Sequence, residues 1–497
     1  MESRFNLVDE PWIPVAASGL ASLRDIFRNP NYREISGNPV QKIALTKLLL
    51  AIAQAANTPA NEHAWRDLGT EGLAESCLAY LDRWHDRFYL YGDQPFLQMP
   101  AIAEIPSQRF GSFIPEVATG NSTVLFQSQV EHPLDNQQKA VLLVTLMGFG
   151  MAGGSSKHNA LVLTPGYTGK DNGKGRPSLN RPGPLVGYNG FLHSFLIGSS
   201  LHKTLWINLF SMEQIDGDRL YSHGVGVAPW EKMPSGEDCE TARKLKRSLI
   251  GVLVPMNRFC LLADDGIRCT EGILHPLEGN PSVAIKPDGK SLLANPTIHP
   301  WRHFASLLSG EYPCQQIRNA LAHDTKDPIS IWSGGLKISY SSGQNFLSGS
   351  DGYAESKVRL SRNLLGTQGQ QDLHSHIELL EGLGRILYSS VRAFFLELKA
   401  SNPENHAKRA QEMYWELCAR NTQNLFDVCA LSGPDGSEIH TRKVGLRKLF
   451  ADLIWQIYDV ECHAGSARML EVWAKCRPNA LPILKKLFDE KTEEPCD

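Results

Sequence analysis

The hydrophobic pattern changes character near residue 365. Beyond about 370, Leu379, Leu383, Ile386, Leu387, Val391, Phe394, Phe395 and Leu398 recur at three- and four-residue spacing, which predicts an amphipathic helix with one apolar stripe. Ser401-Asn402-Pro403-Glu404 then reads as a break and a restart. Asn402 is the predicted cap, and Pro403 takes the first helical position, where an amide donor is not needed. Helical runs at about 441–461 and 465–488 follow the Leu431-Ser432-Gly433-Pro434-Asp435-Gly436 turn. Helices joined by short connections predict a four-helix bundle over residues 366–497.

Residues 1–365 have no such long period and read as a mixed α/β domain of short elements. Phe5 to Val15 is a short apolar strand, an acidic turn at Asp9-Glu10, and an extended segment fixed by Pro11 and Pro14. Pro165, Gly166, Gly169, Gly173, Gly175, Pro177, Pro182, Gly183, Pro184 and Gly187 crowd one stretch. That density excludes a continuous helix or central strand there and predicts a long loop, functional or disordered. Leu205-Trp206-Ile207-Asn208-Leu209 and Ser282-Val283-Ala284-Ile285-Lys286 read as short strands, the second closing into a Pro287-Asp288-Gly289-Lys290 turn. The predicted fold class is α+β, with a mixed domain at 1–365 and a helical domain at 366–497.

A chain of 497 residues is too long for one ordinary domain. Its 42% hydrophobic and 21% charged residues are those of a globular protein. No uninterrupted apolar run of about 18 residues occurs, and Met1-Glu2-Ser3-Arg4 lacks the apolar core of a signal peptide. The expectation is a cytoplasmic protein with no membrane partner. Ten cysteines are scattered from Cys77 to Cys496 without CxxC pairs, which argues for reduced thiols and against structural zinc.

The formal net charge of −3 speaks against a nucleic-acid binder, but its distribution matters more. Between 151 and 210, Lys157, Lys170, Lys174, Arg176, Arg181 and Lys203 face the single acid Asp171. Arg243, Lys244, Lys246 and Arg247 form a second basic cluster, readable equally as a solvated face, and Phe488 to Glu494 is an acidic tail. Local positive potential suffices for a limited DNA face, because screening removes charges beyond about 8–10 Å.

Catalytic signals are sparse. His374 and His376, or Glu461, Cys462 and His463, have poor spacing for one metal ion, since side chains two apart on a helix point about 200° apart. His374 and His376 read instead as exposed helix-end residues. HExxH, GxSxG and Walker patterns are missing. Asp264-Asp265-Gly266 is an acidic turn with a conformational explanation. The residues favour a binding protein without a cofactor or metal. A stand-alone metal-dependent nuclease or hydrolase using these His and Asp residues is the alternative.

Five segments in a fixed order carry a family resemblance. They are Asn6-Leu7-Val8-Asp9-Glu10-Pro11-Trp12-Ile13-Pro14-Val15, Phe88 to Gln98, Asn121 to Gln127, Ile331-Trp332-Ser333-Gly334-Gly335, and Glu412-Met413-Tyr414-Trp415. Together they resemble CasA-type proteins, the large subunit of the type I-E CRISPR surveillance complex (Cascade), over almost the whole chain. The resemblance implies an N-terminal α/β domain, a C-terminal four-helix bundle and a non-enzymatic antiviral role. It also implies these partners: the backbone subunits, the small helical subunit, the subunit that binds the crRNA 5′ handle, crRNA, double-stranded target DNA and a helicase-nuclease.

The same resemblance places functional residues. The Gly148 to His158 loop, through Gly153, Gly154, Ser155 and Lys157, would approach the protospacer-adjacent motif (PAM). The loop Ser333 to Asn345 would read the PAM from the minor groove through Gly335, Lys337, Ser339 and Ser341, where small donors and backbone amides suit a narrow groove. Tyr340 would be the wedge that starts strand separation; an alternative register uses Gln344 and Asn345. An aromatic wedge stacks on the exposed base pair. Val124, Leu125, Phe126 and Gln127 would contact crRNA and neighbouring subunits, with Arg268, Lys286 and Lys290 touching the duplex on the PAM side.

Overall fold

A computed structural model of the chain describes residues 5–114, 133–152, 161–167, 181–264, 266–277, 279–323, 328–431 and 436–480. They form two units, Met1–Pro296 with Tyr312–Ser356, and Thr297–Glu311 with Lys357–Asp497.

In the first unit, two of the sequence signatures meet. The Leu7 amide donates to the Phe88 carbonyl and the Leu90 amide to the Phe5 carbonyl, each at 2.9 Å. Trp12 is fully buried, and its indole N–H donates to the Leu7 carbonyl at 3.0 Å. β1 (Ile13–Val15) and β2 (Gly19–Ala21) form a short antiparallel pair. Ser22 caps α1 (Leu23–Arg28) through a reciprocal bond with Asp25. α2 (Pro39–Ala56) starts with Asn38 as cap and Pro39 in its first turn. Thirteen of the 18 residues of α2 are buried, all but Lys47 and Gln54 apolar, so it serves as the central core helix, packed by α3 (Glu62–Arg83) and α4 (Asn136–Phe149).

Leu205 to Leu209, predicted as a strand, instead straddles the end of α5 (Leu201–Ile207). Ser200 caps this helix by accepting from the Lys203 amide. A distant partner decides the outcome. Trp206 stacks on Trp65 with ring centroids 3.6 Å apart, and each indole N–H donates to the other residue's carbonyl, at 2.8 and 3.0 Å.

The main sheet has the order β3 (His193–Ile197), β6 (Ile329–Lys337), β9 (Gly352–Leu360). β6 lies in the middle, antiparallel to β3 with Phe195 opposite Trp332. β4 (Arg258–Leu262) and β5 (Ile267–Glu271) form a separate antiparallel pair. Ser282 to Lys286 makes two isolated bridges, His193 with Val283 and Ile285 with Ser291, rather than a strand ladder. The turn that follows forms as predicted. The Lys286 amide donates to the Lys290 carbonyl at 2.8 Å, and Gly289 takes φ +76°.

The second unit is helical. α6 (Thr367–Glu397) buries Leu379, Leu383, Leu387, Val391 and Phe394 along the predicted stripe. α7 (Pro403–Arg420) begins at Pro403, as predicted, but Asn402 caps it in a left-handed conformation (φ +52°) without a side-chain hydrogen bond. Asn is among the few residues that tolerate this region. α8 (Thr422–Cys429) separates from α7 at Asn421, where Asn421 and Thr422 side chains donate to the Leu417 and Ala419 carbonyls at 3.0 and 2.8 Å. Such bonds compete with the helical ladder. α9 (Gly436–Glu461) and α10 (Ala467–Cys476) pack on α6. The Arg302 guanidinium lies 3.6 Å from the centre of the Trp415 ring.

Candidate nucleic-acid interface

β6 does not end in a loop at its glycines. Gly334 and Gly335 are interior strand residues, with Gly334 opposite His193. A Cβ on Gly335 would lie 2.3 Å from the Phe191 carbonyl oxygen, and one on Gly334 would lie 2.6 Å from the Trp332 ring. The Gly pair therefore serves close packing within the sheet, and the expected single loop from Ser333 to Asn345 is corrected to a strand followed by a hairpin. The hairpin is β7 (Ser339–Ser341) paired with β8 (Gln344–Phe346). Its turn residues Ser342 and Gly343 both have positive φ, +51° and +81°, the requirement of a two-residue hairpin turn matched to strand twist.

The hairpin leans on two other segments through Asn345. Its amide donates to the Ala152 carbonyl at 2.8 Å, its side-chain oxygen accepts from the Ala152 amide at 2.8 Å, and its side-chain nitrogen donates to the Tyr188 carbonyl at 2.8 Å. Ala152 lies in the predicted PAM-approaching Gly loop, and Tyr188 in the Gly- and Pro-rich stretch. Tyr340, opposite Asn345, is 37% exposed and meets Tyr188 edge to face, with centroids 4.6 Å apart. Sequence reasoning assigned Tyr188 no role; an aromatic ring among glycines and prolines was the available signal.

Other predicted residues sit as follows. Ser339 donates to the Asp351 carboxylate at 2.8 Å. The Lys337 ammonium donates to the Ser350 carbonyl at 3.1 Å and stands 3.7 Å from the buried Asp351 carboxylate, so an acid already shares its charge. Ser341 is exposed and Gln344 half-buried. Arg268 lies on β5, half-buried, and its Nε has no hydrogen-bond partner among the described residues. Lys286 and Lys290 flank Asp288 at 3.4 and 3.7 Å. Gly153, Gly154, Ser155 and Lys157, with Val124, Leu125, Phe126 and Gln127, lie outside the described residues.

Beneath Ala152, the Gly183 amide donates to the Gly150 carbonyl at 2.6 Å and the Leu185 amide to the Gly148 carbonyl at 3.1 Å. Glycine is required for this approach: a Cβ on Gly183 would lie 2.1 Å from the Gly148 oxygen. Arg258 spans both segments, donating to the Met151 carbonyl at 2.9 Å and the Arg181 carbonyl at 3.0 Å. Its cross-strand partner is Glu271, whose carboxylate is buried without a hydrogen bond among the described residues. Burial pushes the Glu271 carboxyl up to about 7, against the opposing charge of Arg258.

Of the second basic cluster, Arg243 and Lys246 both reach Asp238, at 3.0 and 3.2 Å, and Lys244 reaches Glu240 at 2.7 Å. That pattern matches a solvated, self-compensated face. The metal candidates are dispersed. His374 sits 3.4 Å from Glu378. His376, expected to be exposed, is buried against the Asp372 carbonyl at 2.7 Å, because its helix turns that face toward α8 and α9, and burial pushes it down to about 4. Glu461 is held by Arg409 at 2.6 Å. Among the described residues no three His, Cys, Asp or Glu side chains gather as metal ligands. No described helix is long and apolar enough to cross a membrane.

An α+β unit together with a helical unit is the fold class of a known group of solved structures. Thermobifida fusca Cse1 matches with a TM-score of 0.71 at 20% identity, over 98% of each chain. A chain of a CRISPR RNA-guided surveillance complex matches with a TM-score of 0.57 at 17% identity, over 95% of this chain and 98% of that one. The curated CRISPR-associated protein CasA/Cse1 of Thermus thermophilus is 28% identical over 220 residues, 41% of this chain and 39% of that protein, so the alignment spans about two-fifths of this relative. The family model of CRISPR-associated protein Cse1 matches residues 6–454, and the chain belongs to that family.

Proposed function

We propose that this chain is the non-enzymatic large subunit of a crRNA-guided antiviral surveillance complex, and that it senses the PAM and starts target opening. The observation that carries the reading is the Asn345 junction, which fixes the Tyr340 hairpin against Ala152 of the Gly loop. Family membership and the likeness to a surveillance-complex chain support the setting. In this reading the hairpin tip, with exposed Tyr340 and Ser341 and half-buried Gln344, enters the minor groove. Gly153, Gly154, Ser155 and Lys157 approach from the adjoining loop, and Arg268, Lys286 and Lys290 attract phosphates. Tyr340 is the wedge. Val124, Leu125, Phe126 and Gln127 engage crRNA and neighbouring subunits, and the opened complex receives the helicase-nuclease.

Energetics explain why so few contacts suffice. Exchanging a DNA duplex for an RNA–DNA hybrid is nearly balanced at about 1.4 kcal/mol per step, so a few kcal/mol decide whether it begins. The test is target opening, read by 2-aminopurine fluorescence beside the PAM in the reconstituted guide complex. Tyr340→Ala should leave PAM-duplex binding nearly intact, slow opening of a matched target, and be rescued by a target pre-melted with mismatches. An equal defect on both targets would remove Tyr340 as the wedge. Cleavage of DNA by the isolated chain with Mg²⁺ or Mn²⁺ would overturn the non-enzymatic reading.

A further inference from the structure

Asn345 leans on two segments, at Ala152 and at Tyr188. Each segment continues downward into the stem, where residues 148–150 and 183–185 lie side by side on two backbone hydrogen bonds. Among the described residues these two bonds, at the C-terminal end of α4, are the backbone link between the segments. His193 and Asn280 hold the second segment at the Leu185 and Pro184 carbonyls, at 2.7 and 3.3 Å, and a third side chain bonds to both segments. Arg258, 7% exposed on β4, reaches past the upper bond and donates the same terminal nitrogen to Met151 and Arg181.

The rest of that guanidinium is also committed. Its other terminal nitrogen donates to the Asn257 carbonyl at 3.0 Å and the Asn257 side-chain oxygen at 2.7 Å. The fork is therefore held from its own strand while it grips two chain segments, a geometry that the planar guanidinium provides and an ammonium does not. Gly150 makes room for it: a Cβ there would lie 2.7 Å from the Arg258 Nε. Met151 immediately precedes Ala152, and Arg181 begins the described run that reaches Tyr188. One buried cation thus bonds to the stems of both supports of the hairpin. Glu271 lies directly across from it on β5.

We infer that Arg258 is a positioning residue for PAM sensing: it clamps the stems of the Gly loop and the Gly- and Pro-rich segment, and so sets where Asn345 holds the hairpin. The inference rests on the PAM-sensing reading above. Arg258 touches no nucleic acid in this scheme and acts through Met151 and Arg181.

The experiment compares Arg258→Lys, Arg258→Met and Gly150→Ala by two independent readouts. The first is amide exchange of Gly183, Ala152 and Asn345 in the full chain. All three variants should speed exchange at these positions by about tenfold or more, the scale of a lost charge-assisted bond, with exchange of the α2 amides unchanged. The second is the ratio of PAM to non-PAM duplex affinity in the reconstituted guide complex. That ratio should fall about tenfold, while incorporation into the complex stays normal. Lys at 258 should also fail, because its single ammonium, though able to donate to both carbonyls, lacks the second terminal nitrogen that Asn257 holds. Unchanged exchange overturns the clamp. Faster exchange with an unchanged PAM ratio overturns its positioning role, provided the wild-type complex prefers PAM to non-PAM duplex. Should the wild-type complex show no such preference, the PAM-sensing reading itself fails, and the positioning role falls with it.

Discussion

Asn345 and Ala152 exchange two hydrogen bonds, one through each residue's backbone amide, both at 2.8 Å and across 193 positions of sequence. The pair fastens a hairpin tip to a Gly-rich stem that the chain brings from another part of the first unit. Replacing Asn345 by Ala should leave the part-buried Ala152 amide and Tyr188 carbonyl without these partners, at about 1 kcal/mol each, the low end for an unpaired group. We expect faster amide exchange across β7 and β8 and slower target opening, with the melting temperature lowered only slightly because the hairpin lies outside the main core. A large loss of global stability would show that the hairpin is part of the cooperative core.

Tyr188 steadies Tyr340 through an edge-to-face contact, an arrangement that contributes about 0.5–1.5 kcal/mol beyond area burial. Tyr188→Ala should therefore slow target opening severalfold while leaving PAM-duplex affinity within about twofold, since a contribution below 1.4 kcal/mol changes a rate by less than tenfold. Opening at the wild-type rate would show that Tyr340 needs no support from Tyr188.

Lys337 is already shared by Ser350 and Asp351. Its replacement by Met should change the slope of log affinity against log salt by well under the value of about 0.9 expected for one free phosphate contact. Lys290, exposed over most of its side chain, should give the larger change of the two. A full phosphate's worth of slope lost with Lys337→Met would mean that the ammonium leaves Asp351 when DNA binds.

Glu271 should govern part of the pH dependence of stability. Burial raises its carboxyl from 4.5 to about 7, with Arg258 and Arg181 opposing the rise and Glu237 adding to it; Tyr167 also lies close enough to feel its charge. Between about pH 4.5 and 7 the folded chain then binds more protons at this site than the unfolded chain, so stability falls as pH rises through that window and the penalty is complete above 7. Glu271→Gln should raise stability by about 1–3 kcal/mol at pH 8 and leave it nearly unchanged at pH 4.5, measured by denaturant titration. A loss at pH 8 would show that attraction to Arg258 outweighs burial.

Where a feature depends on residues close in sequence, the chain announces it. The stripe from Leu379 to Phe394 predicts the buried face of α6, Pro403 marks the start of α7, and Pro287-Asp288-Gly289-Lys290 specifies its turn. Each is set by periodicity or by the backbone restrictions of Pro and Gly, and these act over a few residues. Leu205 to Leu209 shows the limit. A short apolar run suits a strand or a buried helix equally, and Trp65, 141 residues from Trp206, settles the choice.

The candidate site shows the same division more sharply. The motifs around Gly148 and Gly335 are visible in the sequence, but a glycine reads the same whether it frees a loop or admits a neighbour. Gly335 is a packing residue because Phe191 lies against it. Tyr188, Asn345 and Arg258 gain their places from bonds across 157, 193 and 107 positions. No local pattern encodes such pairings, because what selects them is the burial of donors and acceptors that the folded chain leaves facing one another.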